Sequence, residues 1–194
     1  MKTYQVITPA STYPISLTEA KSHLKVDTTA DDTYIESIIK AATQLSEEYT
    51  NRFFIDTVIE QYASSFAELQ TLFKSKVSAV AHVKYYDSDN SLQTLSASVY
   101  DAQLNYEPSQ IQLADGQSFP DITKRNDAVL VRYTVGYGSA ASDVPEIIKQ
   151  AILLTIGNFY ENRNSVITGK TATELPMNVK WLLDTYKVQI IGWQ

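Results

Sequence analysis

The spacing of apolar residues changes period twice along this chain, and those two changes constrain its fold more than any other feature. From Thr33 onward, Ile35, Ile38, Ile39, Ala42, Leu45 and Tyr49 recur every three or four residues, with Glu36, Lys40, Gln44, Glu47 and Glu48 mostly opposite. That spacing predicts an amphipathic helix. After Asn51-Arg52 the texture becomes short β-branched or aromatic runs between polar turns, at 57–62, 80–86, 99–106, 111–113 and 129–135. These runs predict antiparallel strands. From Val144-Pro145-Glu146 the helical period returns, with Ile147, Ile148, Ala151, Ile152, Leu154, Thr155, Phe159 and Tyr160 spread around much of the circumference. A helix so apolar is expected to be central. After Pro176 a last short helix carries Val179, Trp181, Leu182, Leu183 and Tyr186, of which Trp181 and Tyr186 are expected to pack onto the third helix.

The expected fold class is α+β, a four-helix core of two N-terminal and two C-terminal helices with an inserted antiparallel β-rich subdomain. The expected division gives residues 1–56 and 138–194 to the helical core and its apolar C-terminal tail, and residues 57–137 to the insertion. Helix starts are marked by capping residues. Ser16-Leu17-Thr18-Glu19 has the reciprocal capping-box spacing, in which the Ser16 hydroxyl accepts from the Glu19 N–H and the Glu19 carboxylate reaches back. Asp32, beside Asp31, stands where the second helix begins, and Asp143 precedes the third, so both are expected caps.

Several kinds of chemistry are excluded or unsupported. The chain has no cysteine, which removes disulfides, thiolate metal sites and cysteine nucleophiles. Its two histidines, His23 and His82, fall in different predicted elements and form no readable dyad. Asp31-Asp32 and Glu47-Glu48 are neighbours in sequence, so they point to different sides of a helix and do not pair. Asp87 and Asp89 begin like a calcium loop, but Leu92 stands where that loop needs glycine and Ser98 where it needs glutamate. Gly136-Tyr137-Gly138 lacks the third glycine and the lysine of phosphate-binding loops. No catalytic residue, metal ligand or cofactor site is expected.

Charge and apolar runs set further bounds. Sixteen Lys+Arg against 22 Asp+Glu give a net charge of -6, which disfavours a protein built to grip phosphates. No run approaches a membrane span, and the start lacks the apolar stretch of a secretory signal, so synthesis in the cytoplasm is expected. Thirteen tyrosines, each with an apolar face and a polar tip, suit either sheet–helix packing or protein interfaces.

Taken in order, a set of short stretches resembles the long-form head-tail connector (adaptor) family of tailed bacteriophages and prophages. They are Ile15-Ser16-Leu17-Thr18-Glu19-Ala20-Lys21 with His23-Leu24-Lys25-Val26-Asp27; Asp31-Asp32-Thr33-Tyr34-Ile35; Val135-Gly136-Tyr137-Gly138; Val144-Pro145-Glu146-Ile147-Ile148-Lys149-Gln150-Ala151; Tyr160-Glu161-Asn162-Arg163; and Leu175-Pro176 before Val179-Lys180-Trp181-Leu182-Leu183. The C-terminal third carries the resemblance best, and 56–127 carries little of it.

The resemblance implies a structural virion protein, not an enzyme, located at the head-tail interface and made in the host bacterial cytoplasm. It implies a homo-oligomeric ring, usually of twelve subunits, docked on a portal protein and presenting its other face to a stopper or tail-completion protein. DNA would pass through the lumen without specific binding, and no membrane would be involved. Another head-completion or tail-completion component is the alternative reading, and a hydrolase using a buried carboxylate is a third. Expected interface residues, toward the portal or a neighbouring subunit, are Arg163, Ile190, Ile191 and Trp193. For Arg163, a carboxylate on a neighbouring subunit and the C-terminal carbonyls of its own helix are both open as partners.

Overall fold

The strand-forming residues gather around one seven-residue strand whose side chains alternate between buried and half-buried. The computed structural model describes residues 4–74, 76–163 and 175–188. These fall into a β unit (4–11 and 51–137, with Val188) and a helical unit (12–50 and 138–187). Four α-helices and a five-stranded antiparallel sheet among the described residues make this an α+β fold, as the pattern predicts.

In the β unit the strands are β1 (Tyr4–Thr8), β2 (Thr57–Ala63), β3 (Val77–Tyr86), β4 (Leu92–Thr94), β5 (Tyr100–Gln103), β6 (Gln110–Leu113) and β7 (Val129–Val135). The main sheet runs β1-β2-β7-β3-β4, and β5 and β6 form a separate two-stranded ribbon. Central β7 buries Val129, Val131, Tyr133 and Val135, the period-two signature of a strand with one face on a core. That core adds Ile59, Leu69, Leu72, Val83 and Ile111. Tyr133 is fully buried, so its hydroxyl needs partners. It donates to Gln61 Oε1 at 2.7 Å and accepts from the Phe73 N–H at 3.0 Å.

Residues 1–56 were expected to join the helices, yet Tyr4–Thr8 pairs with β2, Tyr4 opposite Gln61 and Val6 opposite Ile59. A five-residue run with one half-buried and four exposed side chains has no alternation to mark it as a strand. Its place is set by the unpaired edge that β2 offers. Strand β4 is a second addition, folding back on β3 across a turn at 87–91. The Asp87 carboxylate accepts there from the N–H groups of Asp89 and Ser91 and from Gln93, an Asx-type closure.

Gly136 ends β7 with φ of 147° at a point where a Cβ would lie 2.7 Å from the Asp56 nitrogen, so only glycine fits.

The helical unit contains α1 (Leu17–Leu24), α2 (Asp32–Thr50), α3 (Glu146–Glu161) and α4 (Met177–Asp184). The capping box forms at α1: Glu19 N–H to Ser16 Oγ is 3.2 Å and Ser16 N–H to the Glu19 carboxylate 2.8 Å. The helix ends on Lys25 in the left-handed region. Helix α2 buries Ile35, Ile38, Ile39 and Ala42, and also Thr43, Ser46 and Thr50. Each of those hydroxyls donates to the carbonyl four residues back at 2.8 Å, which satisfies it without breaking the helix.

Two expected caps act differently. Asp32 is the first residue of α2, and its carboxylate takes the Lys21 ammonium at 2.6 Å rather than a backbone N–H. Asp143 accepts from the Ala140 N–H at 3.0 Å, closing a short 3-10 turn at Ala141–Asp143. Helix α3 begins after Pro145 with no side-chain cap, because Val144 and Pro145 separate Asp143 from the helix's free N–H groups.

Candidate assembly surface

The one buried carboxylate among the described residues is paired. Glu60 on β2 is held by Arg132 on β7 at 2.8 and 2.9 Å and accepts from Tyr62. Beyond them, His82 Nε2 lies 3.8 Å from Glu60 with no hydrogen-bond partner. Burial, reinforced by Lys84 and Arg132, holds His82 below the usual imidazole range against the pull of Glu60. In the helical unit, His23 lies beside Gly157. Among the described residues no three His, Cys, Asp or Glu side chains gather to hold a metal ion, and no helix is long and apolar enough to cross a membrane.

Arg163, expected to reach a neighbouring subunit or its own helix end, is engaged elsewhere within the chain. Its Nη2 donates to Asp31 Oδ2 at 2.8 Å, and its guanidinium sits 4.5 Å from the Tyr34 ring centre and 4.6 Å from that of Tyr160. Tyr160 donates to the same Asp31 oxygen at 2.6 Å, and the Tyr34 hydroxyl donates to the Phe159 carbonyl at 3.0 Å. Hydrogen bonds from Arg163 first and Tyr160 second hold the Asp31 carboxyl below the usual aspartate range. The cluster fixes the end of α3 to the start of α2. Its partners are more than 100 residues apart in sequence, so spacing alone could not reveal them.

The surface that stands out is apolar. On α4, Val179 and Leu183 are fully buried against Ala151 of α3 and Leu45 and Tyr49 of α2. Met177 and Trp181, one turn apart on the opposite side, are each 69% exposed. Trp181 was expected to pack onto α3; it faces outward instead. With 3.6 residues per turn, Trp181 lies roughly 160° from Val179 and from Leu183, so these residues cannot share a face. Tyr186, its expected companion, is half-buried. The α4 position is secured by Tyr49, whose hydroxyl donates to Asp184 at 2.6 Å, and by Lys187, 4.5 Å from the Tyr49 ring centre.

Helix α3 also carries exposed apolar residues, beside its buried face. Ile148, Ala151, Ile152 and Ile156 are buried, while Ile147 and Leu154 are exposed, two turns apart on one stripe. In the β unit, Val6 and Ile7 on edge strand β1, Leu92 on edge strand β4 and Leu113 on β6 are also exposed. Aromatic and Met side chains are enriched at protein–protein contacts relative to the rest of the surface. The remaining expected interface residues, Ile190, Ile191 and Trp193, lie outside the described residues.

Comparison with known proteins gives a consistent picture. The profile of a family described as phage gp6-like head-tail connector protein matches residues 14–115. That span includes much of the region 56–127 in which short motifs carried little resemblance. Solved structures match over 98% of both chains: one in the virion of a native gene transfer agent particle, at 21% identity and a TM-score of 0.74. Another is in the neck of an empty such particle computed with C6 symmetry, at 20% and 0.73. A third is in the neck of the native particle computed with C12 symmetry, at 19% and 0.72. At such identities the likeness is one of fold. No curated relative matches the chain.

Proposed function

The chain belongs to the phage gp6-like head-tail connector family and is a structural connector of the head-tail junction, and on that premise we propose that it works as a ring docked on the portal of a phage-like particle. The observation that carries this is the family match, covering the first two helices and most of the sheet. The likeness in fold to a chain of a neck computed with twelvefold symmetry supports a ring of twelve. In this reading one face meets the portal and the other a stopper or tail-completion protein, and the protein does its work by binding rather than by catalysis.

Physical features agree. A ring needs each subunit to present adhesive surface to two neighbours, and the helical unit has more exposed apolar side chain than its own folding uses. A net charge of -6 suits a passage for DNA, since like charge opposes adhesion of the phosphate backbone. The residues after Val188, Gln-Ile-Ile-Gly-Trp-Gln, are apolar enough to serve as a portal-binding tail.

Electron microscopy of the purified chain, alone and mixed with the portal of its particle, tests the reading. Rings coaxial with the portal are expected, and a chain that stays monomeric in both samples refutes it. Deleting 189–194 is expected to weaken portal attachment while leaving the fold intact. Undiminished attachment removes that segment from the mechanism.

A further inference from the structure

We propose that His82 is a proton-binding site that makes the centre of the β unit acid-sensitive, protonation of its buried Nε2 loosening the pairing of β3 with β7. The site is a row across three strands. Glu60 on β2 stands opposite Arg132 on β7, and Arg132 stands opposite His82 on β3. Strand alternation therefore puts all three side chains on one face of the sheet, the face away from the Tyr133 core.

The backbone aims His82 into this row. Between Val80 and His82 two steps along β3 meet one step along β7, which makes Ala81 the extra residue of a bulge, and bulges redirect the side chains beside them. The His82 Nε2 ends buried, 3.8 Å from the Glu60 carboxylate, with no hydrogen-bond partner. The charged and titratable groups around it are Glu60 and Tyr62 from β2, Arg132 from β7 and Lys84 from β3 itself. Strand β4, also packed on β3, brings only Leu92, Gln93 and Thr94.

Glu60 is the one anion in this group, and it is already shared. Its Oε2 accepts from Arg132 Nε and Nη2 at 2.9 and 2.8 Å, and its Oε1 from the Tyr62 hydroxyl at 3.1 Å. A proton on His82 adds a third cation, with Arg132 and Lys84, around that single carboxylate. The new Nε2–H reaches an acceptor only if the pair closes from 3.8 Å to about 2.9 Å, which pulls on the carboxylate that Arg132 holds. Burial first, then Lys84 and Arg132, oppose the charged form by more than Glu60 favours it.

An unfolded chain has none of these constraints, and its histidine takes a proton near a pH of about 6.5. A folded-state value below that gives stability that is present above about pH 6.5 and is lost as pH falls toward the folded value. At about pH 5.5, roughly one unit lower, the ceiling is about tenfold in the equilibrium that opens the β3–β7 pair.

Two measurements on the whole chain test this. In a proton NMR titration, His23→Gln removes the ring signals of the exposed histidine on α1 and leaves those of His82. They are expected to titrate below the free-histidine value, and a midpoint at or above it overturns the proposal. Hydrogen exchange read by mass spectrometry, corrected for the intrinsic pH dependence of amide exchange, is expected to show 77–86 and 129–135 losing up to about tenfold in protection between about pH 7.5 and about pH 5.5. Helices α2 and α3 should keep theirs, because the whole row lies in the β unit. His82→Gln is expected to abolish the loss. Unchanged protection in the two strands, or an equal loss in this variant, overturns the proposal. If His82→Gln does not fold, the titration and the exchange of the unaltered chain decide by the same outcomes.

Discussion

Trp181 and Leu183 stand two residues apart on one short helix and should fail in opposite ways. Leu183 is fully buried against α3, so Leu183→Ala removes packed side chain and leaves a cavity, at a cost of about 2–5 kcal/mol. That is a large part of the roughly 5–15 kcal/mol that holds an ordinary domain folded. Trp181 is 69% exposed. Its truncation removes little folded-state packing, so the stability change should stay within about 0.5 kcal/mol. Covering that exposed part in a subunit contact would remove roughly 100–170 Å² from water, taking about 150–250 Å² for a whole aromatic side chain. At about 25 cal/mol per Å² this is worth about 2.5–4 kcal/mol per contact, a ceiling before ordering costs are subtracted. Trp181→Ala should therefore weaken assembly by up to two to three orders of magnitude. Urea denaturation followed by circular dichroism measures the first quantity, and mass photometry across a dilution series the second. If Trp181→Ala destabilises the fold as much as Leu183→Ala and leaves assembly unchanged, the outward placement of this face is wrong.

Three further outcomes follow from other sites. Tyr133→Phe removes the hydroxyl that joins Gln61 and the Phe73 N–H inside the sheet core; a loss of only about 0.5–1.5 kcal/mol is expected in denaturant unfolding, because the Phe73 N–H still donates to Gln61 Oε1. Glu107 receives both Arg52 Nη atoms, at 2.9 and 2.5 Å, and the Arg52 hydrogen bonds lead in lowering its pKa. A lowered folded-state pKa contributes stability that is present above the unfolded glutamate value of about 4.3 and is lost as pH falls through the folded value. Glu107→Gln should accordingly flatten the fall of melting temperature on acidification, and an unchanged acid slope would remove this pair from the account. Arg163→Lys keeps the charge but gives up the planar fork stacked between Tyr34 and Tyr160; carbon-13 NMR titration should find the Asp31 carboxyl moved up toward the ordinary aspartate range.

What was legible in the sequence was local, and what was not depended on distant partners. The capping box at Ser16 and Glu19 needs only four consecutive residues, and it forms as spaced. The start of α2 and the alternation along β7 likewise carry their own period. Asp143 failed as a helix cap for a reason two residues away, in Pro145. Strand β1 had no pattern of its own and is defined by the edge of β2, some 50 residues on. Arg163 has the same character: its guanidinium found a carboxylate 132 residues upstream and two tyrosine rings. Helical spacing could not find those partners.

The α4 error has a different origin and is the most instructive about function. An eight-residue helix is too short to persist by its own backbone bonds, so it must be held by side chains. Val179 and Leu183 supply that on one face. Met177 and Trp181 put as much apolar surface on the other. Hydropathy alone gives no preference between the two faces, and reading both as core assigns Trp181 inward. A chain folding for itself gains nothing from the second face, since exposed Trp and Met add no packing and promote association. Ile147 and Leu154 form a second exposed apolar stripe on α3, flanking its buried face. Two helices of one unit that carry apolar side chains beyond their buried faces are over-provided for a monomer. In the proposed ring the second face would have a use, because a subunit of a closed ring must satisfy neighbours on both flanks as well as its own core.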